Sequence, residues 1–300
     1  MYTRFYGLKE RPFEISPDPR FLFLGENHKE ALAHLIYAVK AGKSFTVITG
    51  EVGTGKTILV QTLLSRLDGE ARTAHIFNPK LNPSDFLHYI CTDLGLMMDG
   101  TRSKGQMLAS LHHFLLDCYA RNEKVILIID EAQALDPRLL EEVRLLTNLE
   151  TSKSKLLQVI LLGQPELDNI LADPNYRQLK QRVSIRFRIK PLNFKETADY
   201  TINRLKTAGA ADPDIFDSGA LKEIYRYSGG IPRLINIVCD NALLTGYASE
   251  TRKIGRRIIR EVIDHMEGAG RQDWKRPAIY ILLISLLVFL VFWLLIYLGI

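Results

Sequence analysis

A chain of 300 residues, 47% hydrophobic and 24% charged, can bury one large core or two small ones, which excludes a disordered or collagen-like polypeptide. The net charge of +5 is modest. Cys91, Cys118 and Cys239 are far apart and in no metal-ligand spacing, so they read as small buried hydrophobes in a reducing compartment.

The N-terminus carries Arg4, Lys9, Glu10 and Arg11 without an apolar run, so no signal peptide is expected there. Apolar runs then alternate with longer amphipathic segments. Strands are predicted at 45–50, 74–78, 125–130, 157–164 and 185–192. The first, third and fourth are nearly continuous Val, Ile and Leu, the pattern of strands buried on both faces of a parallel sheet. Helical spacing covers 57–67, 84–96, 103–120 and 137–150. This alternation predicts a doubly wound α/β layer.

GEVGTGKT (50–57) follows the strand FTVIT and opens a helix, the context that a phosphate-binding loop requires. Gly50, Glu51, Val52, Gly53, Thr54, Gly55, Lys56, Thr57 and Ile58 are therefore the candidate nucleotide-binding residues. The glycines let backbone N–H groups turn inward, and the helix N-terminus favours negative charge. Lys56 is expected to reach the β- and γ-phosphates, and the Thr57 hydroxyl to ligate Mg²⁺.

KVILIIDEAQ (124–133) is a buried strand ending in two acids at the sheet edge where ligands of open α/β proteins bind. Asp130 is suited to hold Mg²⁺ through water, and Glu131 to polarise the attacking water. Together the two motifs predict an ATPase. LQVILLGQPEL (157–167) ends its strand at Gln164, whose amide could orient that water. In LKQRVSIRFRIKPL (179–192), Arg188 reads as a solubilising arginine on an edge strand. Arg182, at a helix end, is the better candidate for a catalytic finger serving a neighbouring subunit, with Arg186 next.

After Pro191 the strand signal stops, and 194–208, 218–227, 232–248 and 255–267 read as helices. The expected division is a nucleotide-binding domain over 1–191, a helical domain over 192–267 and a linker ending at 276. SGGIPRLIN (228–236) puts Arg233 in the first turn of a helix, where it opposes the dipole and calls for an anion such as a γ-phosphate. Arg252, Lys253, Arg256, Arg257 and Arg260 lie opposite an apolar stripe. They read as a solvated face, as a lipid-headgroup surface or as a nucleic-acid surface.

From 279 to 300 (IYILLISLLVFLVFWLLIYLGI) no residue is charged. As a helix it would be about 33 Å long, close to the hydrocarbon thickness of a bilayer. Tyr280, Trp293 and Tyr297 lie towards its ends, and Arg271, Lys275 and Arg276 precede it. A single transmembrane helix is expected, with everything before it in the cytoplasm.

Taken in order, YGLKERPFEISPDPRFLFLGENHKEAL (6–32), GEVGTGKT, LIIDEAQ, LLGQPEL, LKQRV and GGIPRLIN make the chain resemble AAA+ ATPases of the ExeA type, the general secretion pathway protein A family. The similarity runs from residue 1 to about 267. The resemblance implies an αβα sandwich with a small helical lid. It implies sensor roles for Gln164 and Arg233, a finger role for Arg182, and Phe13, Pro17 and the helix start at 28–32 near the adenine. It also implies ATP and Mg²⁺ as cofactors and a homo-oligomer, ring or dimer, working with envelope-assembly partners at the bacterial inner membrane. Family members that assemble the secretion channel carry a periplasmic wall-binding region after the span. Here the sequence ends at Ile300, and the expectation is a tail-anchored relative or a partner supplying that part. Related ATPases serve pilus assembly and polysaccharide export. Others are transposition ATPases that bind DNA; the membrane span argues against DNA.

Overall fold

The computed structural model of the chain describes residues 1–16, 18–67, 69–97, 103–152 and 154–268. Five parallel strands form its sheet: β1 (Phe45–Gly50), β2 (Ala71–Ile76), β3 (Lys124–Ile129), β4 (Gln158–Gly163) and β5 (Ile185–Ile189). Their spatial order is β2-β3-β4-β1-β5. β1 and β4 are buried along their whole length. Their unbroken apolar runs conceal a period of two. Phe45, Val47, Leu127 and Leu161 enter one core, while Ile48, Ile126, Ile128 and Leu162 enter the other.

Helices cover both faces. α1 (Tyr2–Phe5) and α2 (Glu26–Lys40) precede β1, and α3 (Lys56–Arg66) follows it. α4 (Pro83–Asp93) and α5 (Lys104–Ala120) lie between β2 and β3, and α6 (Pro137–Leu146) between β3 and β4. The short α7 (Glu166–Ala172) and α8 (Arg177–Arg182) lead into β5. Leu35, Leu59 and Leu63 from α2 and α3 fill one core; Phe86, Leu111, Leu115 and Leu139 from α4 to α6 fill the other. Each such fully buried side chain stabilises the fold by about 2 kcal/mol.

The sequence expectations hold in type and order, and the edges move. β2 begins at Ala71 rather than 74 because its ladder with β3 starts at the pair Ala71–Lys124. β5 ends at Ile189, where its partner β1 ends at Gly50. α6 stops at Leu146, short of the expected 150. The helices α1, α2, α7 and α8 were not read from periodicity.

Four helices follow the sheet: α9 (Phe194–Thr207), α10 (Ser218–Ser228), α11 (Pro232–Ala248) and α12 (Arg256–Gly268). Asn193 and Glu196 form a capping box at the start of α9. Glu196 also accepts the backbone N–H of Glu26 at 2.8 Å, tying this helix to α2. The helical core contains Tyr2, Tyr6, Leu8, Phe13 and Phe21 beside Leu205, Ile224, Ile235 and Leu243. The first residues of the chain, placed with the sheet domain on sequence grounds, thus pack into the helical core.

A close backbone approach joins the two units. Gly230 (φ +79°) accepts the backbone N–H of Leu192 at 2.9 Å, and a Cβ added there would lie 1.8 Å from the Leu192 carbonyl oxygen. Gly230→Ala meets left-handed backbone strain and a main-chain clash together. We expect it to destabilise the protein by about 3 kcal/mol or more. A denaturant midpoint within error of the parent would refute this.

Among the described residues no helix is long and apolar enough to cross a membrane. The linker after residue 268 and the predicted span at 279–300 lie outside the described residues.

Candidate functional site

The site is built at the carboxyl ends of β1, β3 and β4, and its phosphate loop is shaped by two glycines with positive φ. Gly53 (φ +80°) leaves room for the lid, since a Cβ there would fall 2.5 Å from the Arg233 Cβ. Gly55 (φ +95°) caps α3 in the left-handed conformation. Thr54 is pinned twice: its hydroxyl donates to the Glu51 carbonyl at 2.8 Å, and its own carbonyl lies 2.7 Å from Nε2 of the buried His28 ring.

Lys56 Nζ donates to the carbonyls of Gly50 at 2.8 Å and Glu51 at 3.0 Å. Burial pushes the pKa of this ammonium down, although Glu131, Asp130, Glu51 and Glu166 favour its charge. Two of its three N–H groups are spent on neutral carbonyls, and a phosphate oxygen can take the third.

The acid pair lies across from the loop. Thr57 Oγ1 donates to Asp130 Oδ2 at 2.7 Å, and the other Asp130 oxygen accepts the backbone N–H of Glu131 at 2.8 Å. Thr57 and Asp130 thus bring a hydroxyl and a carboxylate together, the hard oxygen donors that suit Mg²⁺ beside phosphates.

Glu131 takes φ +50°, an uncommon conformation for a residue with a side chain. Burial raises its pKa. Hydrogen bonds from Gln133 and Gln164, with the Lys56 charge, outweigh that and hold it below the ordinary glutamate value. Gln164 Nε2 reaches Glu131 Oε2 at 3.1 Å, so the structure brings the sequence-predicted amide and acid together.

Above the loop, the lid closes one wall. The pocket, of about 310 Å³, is lined by Val52 to Ile58, Glu131, Arg233 and the N-terminal strap around Ile15, Ser16 and Phe21–Phe23. Arg233 is exposed, and its backbone N–H approaches the Gly53 carbonyl at 3.4 Å. Phe13, expected near the adenine, is buried in the helical core and is not among the residues lining the pocket. Pro17 lies outside the described residues. His28 does line the pocket, at its phosphate-loop side.

Three lining residues from the lid, Arg204, Tyr200 and Asn236, were not foreseen. Arg204 is buried and donates to the carbonyls of Pro12 at 2.5 Å and Glu14 at 3.1 Å, and to the Tyr200 hydroxyl at 3.0 Å. Its guanidinium lies 4.8 Å from the Phe21 ring centroid. Tyr200 in turn donates to Asn236 at 2.8 Å. The lid thereby fixes the strap that walls the pocket.

The remaining arginines are elsewhere. Arg182 donates to Thr147 Oγ1 at 2.6 Å and lies outside the pocket lining. Arg186 pairs with Asp168 at 2.6 Å, and Arg188 with Glu51 at 3.6 Å. In the basic stripe, Arg256 and Arg260 pair with Glu223, Lys253 with Asp214, and Arg252 lies over the Phe5 ring. Much of that stripe therefore serves the lid itself. The three cysteines are buried, as expected.

Comparison with known proteins fits this geometry. A family model described as an AAA domain matches residues 39–171. General secretion pathway protein A of Aeromonas hydrophila is 46% identical over 254 residues, which is 85% of this chain and 46% of that protein. The chain therefore spans about half the length of that relative. Among solved structures, Cdc6p from Pyrobaculum aerophilum superposes with a TM-score of 0.63 at 18% identity, over 82% of this chain and 70% of that one. The ADP form of the Aeropyrum pernix ORC2 protein gives 0.60 at 17%, over 86% and 73%. The Thermotoga maritima RuvB motor gives 0.54 at 18%, over 81% and 70%. At such identities these three establish the fold alone.

Fold and site together define a P-loop nucleotide-binding protein of the AAA+ class. Within that class the chain belongs to the ExeA type, the general secretion pathway protein A family.

Proposed function

We propose that this chain hydrolyses ATP with Mg²⁺ and, fixed to the bacterial inner membrane from its cytoplasmic side, drives assembly of a cell-envelope machine for secretion, pili or polysaccharide export. One observation carries the enzymatic half: Lys56, Thr57, which is bonded to Asp130, and Glu131 line one pocket that Arg233 of the lid also lines.

In the reaction, the Glu131 carboxylate takes a proton from a water whose oxygen bonds to the γ-phosphorus. The bond from that phosphorus to the bridging oxygen breaks, and ADP leaves with the electron pair. Lys56 and Arg233 meet the charge that gathers on the phosphate oxygens. Mg²⁺, held by Thr57 and through water by Asp130, would neutralise phosphate charge and orient the chain. Gln164 orients the water, and a neighbouring subunit contributes Arg182.

The membrane half rests on the uncharged stretch at 279–300 and the cations before it. The envelope role rests on the secretion protein that the chain resembles. Tethering would raise the effective concentration of the motor for partners in the same membrane.

The test is phosphate release by the purified full chain, run beside membrane fractionation and a salt-titrated DNA-binding assay. We expect Mg²⁺-dependent hydrolysis, recovery in the membrane fraction and no stimulation by duplex DNA at physiological salt. Recovery in the soluble fraction with DNA-stimulated hydrolysis would favour a transposition-type ATPase instead.

A further inference from the structure

Gln133 was no part of the expected machinery, yet both ends of its side chain are engaged at the centre of the site. It lies in the short turn Ala132–Ala134 that follows Glu131. Its Nε2 donates to Glu131 Oε2 at 2.6 Å, and its Oε1 accepts the backbone N–H of Gln164 at 2.9 Å. Gln164 Nε2 then donates to the same Glu131 oxygen at 3.1 Å. The carboxyl ends of β3 and β4 are so closed into a ring of hydrogen bonds through one carboxylate oxygen.

The chemistry fixes the orientation of the Gln133 amide. A backbone N–H can only be met by an acceptor, so the oxygen must face Gln164 and the nitrogen must face Glu131. The backbone is shaped to admit it. A Cβ on Gly163 would lie 3.1 Å from Gln133 Oε1 and 2.7 Å from Leu167 Cδ2, so the absence of a side chain there leaves the amide its path. Glu131 meanwhile sits at φ +50°, a conformation that persists where surrounding contacts hold it.

We propose that Gln133 is the positioning residue for Glu131: its amide, with that of Gln164, occupies Oε2 and leaves Oε1 as the oxygen that receives the proton of the attacking water. This rests on the reading of Glu131 as the base. Gln164 touches the acid and is also proposed to orient the water. Gln133 acts through Glu131 alone.

The discriminating variants are Gln133→Met, which keeps the length and loses both hydrogen bonds, and Gln133→Glu, which sets a carboxylate against a carboxylate. In the full chain, Gln133→Met is expected to lower kcat between about 10- and 100-fold. KM for ATP and the affinity for a fluorescent ADP analogue should stay within about twofold, because Gln133 is absent from the pocket lining. Gln133→Glu should lower kcat further, because a carboxylate there repels the base it should hold.

A second readout separates positioning from a folding defect: the denaturant midpoint and the affinity for the ADP analogue should stay near parental in Gln133→Met while kcat falls. Parental kcat in Gln133→Met, with Glu131→Gln inactive, would overturn the proposal and leave the base assignment standing. Near-parental hydrolysis by Glu131→Gln would overturn both.

Discussion

Replacing Glu131 with Gln is expected to lower the turnover of ATP by roughly 10²-fold or more while nucleotide affinity stays within a few-fold of the parent. The substitution keeps shape and volume and removes the group that takes the proton. The phosphate loop is untouched, because the contacts that hold it run through Lys56, Thr54 and His28 rather than through Glu131. Lys56→Ala should do the opposite and weaken binding on the order of 10²-fold, since it removes a charge-assisted partner of the phosphates. Equilibrium titration with a fluorescent ADP analogue and single-turnover phosphate release separate the two effects. Hydrolysis near the parental rate in Glu131→Gln, or parental affinity in Lys56→Ala, would refute the corresponding assignment.

Those residues were legible because their chemistry is written in contiguous sequence. A glycine-rich turn between a strand and a helix has few other uses, and a buried run that ends in Asp130 and Glu131 must deliver them to the sheet edge. The same holds for the lid, where Asn193, Asp217 and the pair Gly229–Gly230 mark helix ends that the structure reproduces within a residue or two. α2 also carried a readable signal: His28, Ala31, Leu32, Leu35, Ala38 and Val39 are its buried face, at helical spacing.

What escaped the sequence reading depends on adjacency in space. Gln133 and Gln164 are neighbours because β3 pairs with β4, and no spacing in the chain announces that. The strap that walls the pocket has no period, and its anchors come from α9 and α11, far along the chain. The basic stripe illustrates the converse, since its charges were plain in the sequence while their partner Glu223 was not. A single buried carboxylate between Arg226, Arg256 and Arg260 makes much of that surface a part of the lid.

Arg182→Ala is expected to cost on the order of 10³-fold in turnover, with nucleotide affinity preserved, because we propose that this guanidinium completes the pocket of a neighbouring subunit. Arg182 is half-buried at the end of α8, tied to Thr147 Oγ1 at 2.6 Å and to the Arg144 carbonyl at 3.5 Å. It lies outside the residues that line its own pocket. Arg186 is committed to Asp168, whose other carboxylate oxygen accepts the Thr49 hydroxyl, so it has structural work within the chain. Arg182→Lys can keep the Thr147 hydrogen bond and loses the planar fork that meets two phosphate oxygens. It should fold like the parent and turn over nearly as poorly as Arg182→Ala. Complementation then tests the trans geometry directly. Lys56→Ala has a disabled loop and an intact Arg182; Arg182→Ala has the reverse. Mixed in equal amounts, the two should recover activity that neither shows alone, and the specific activity of the parent should rise with protein concentration. A flat concentration profile with no recovery on mixing, or parental turnover in Arg182→Lys, would remove Arg182 from the mechanism.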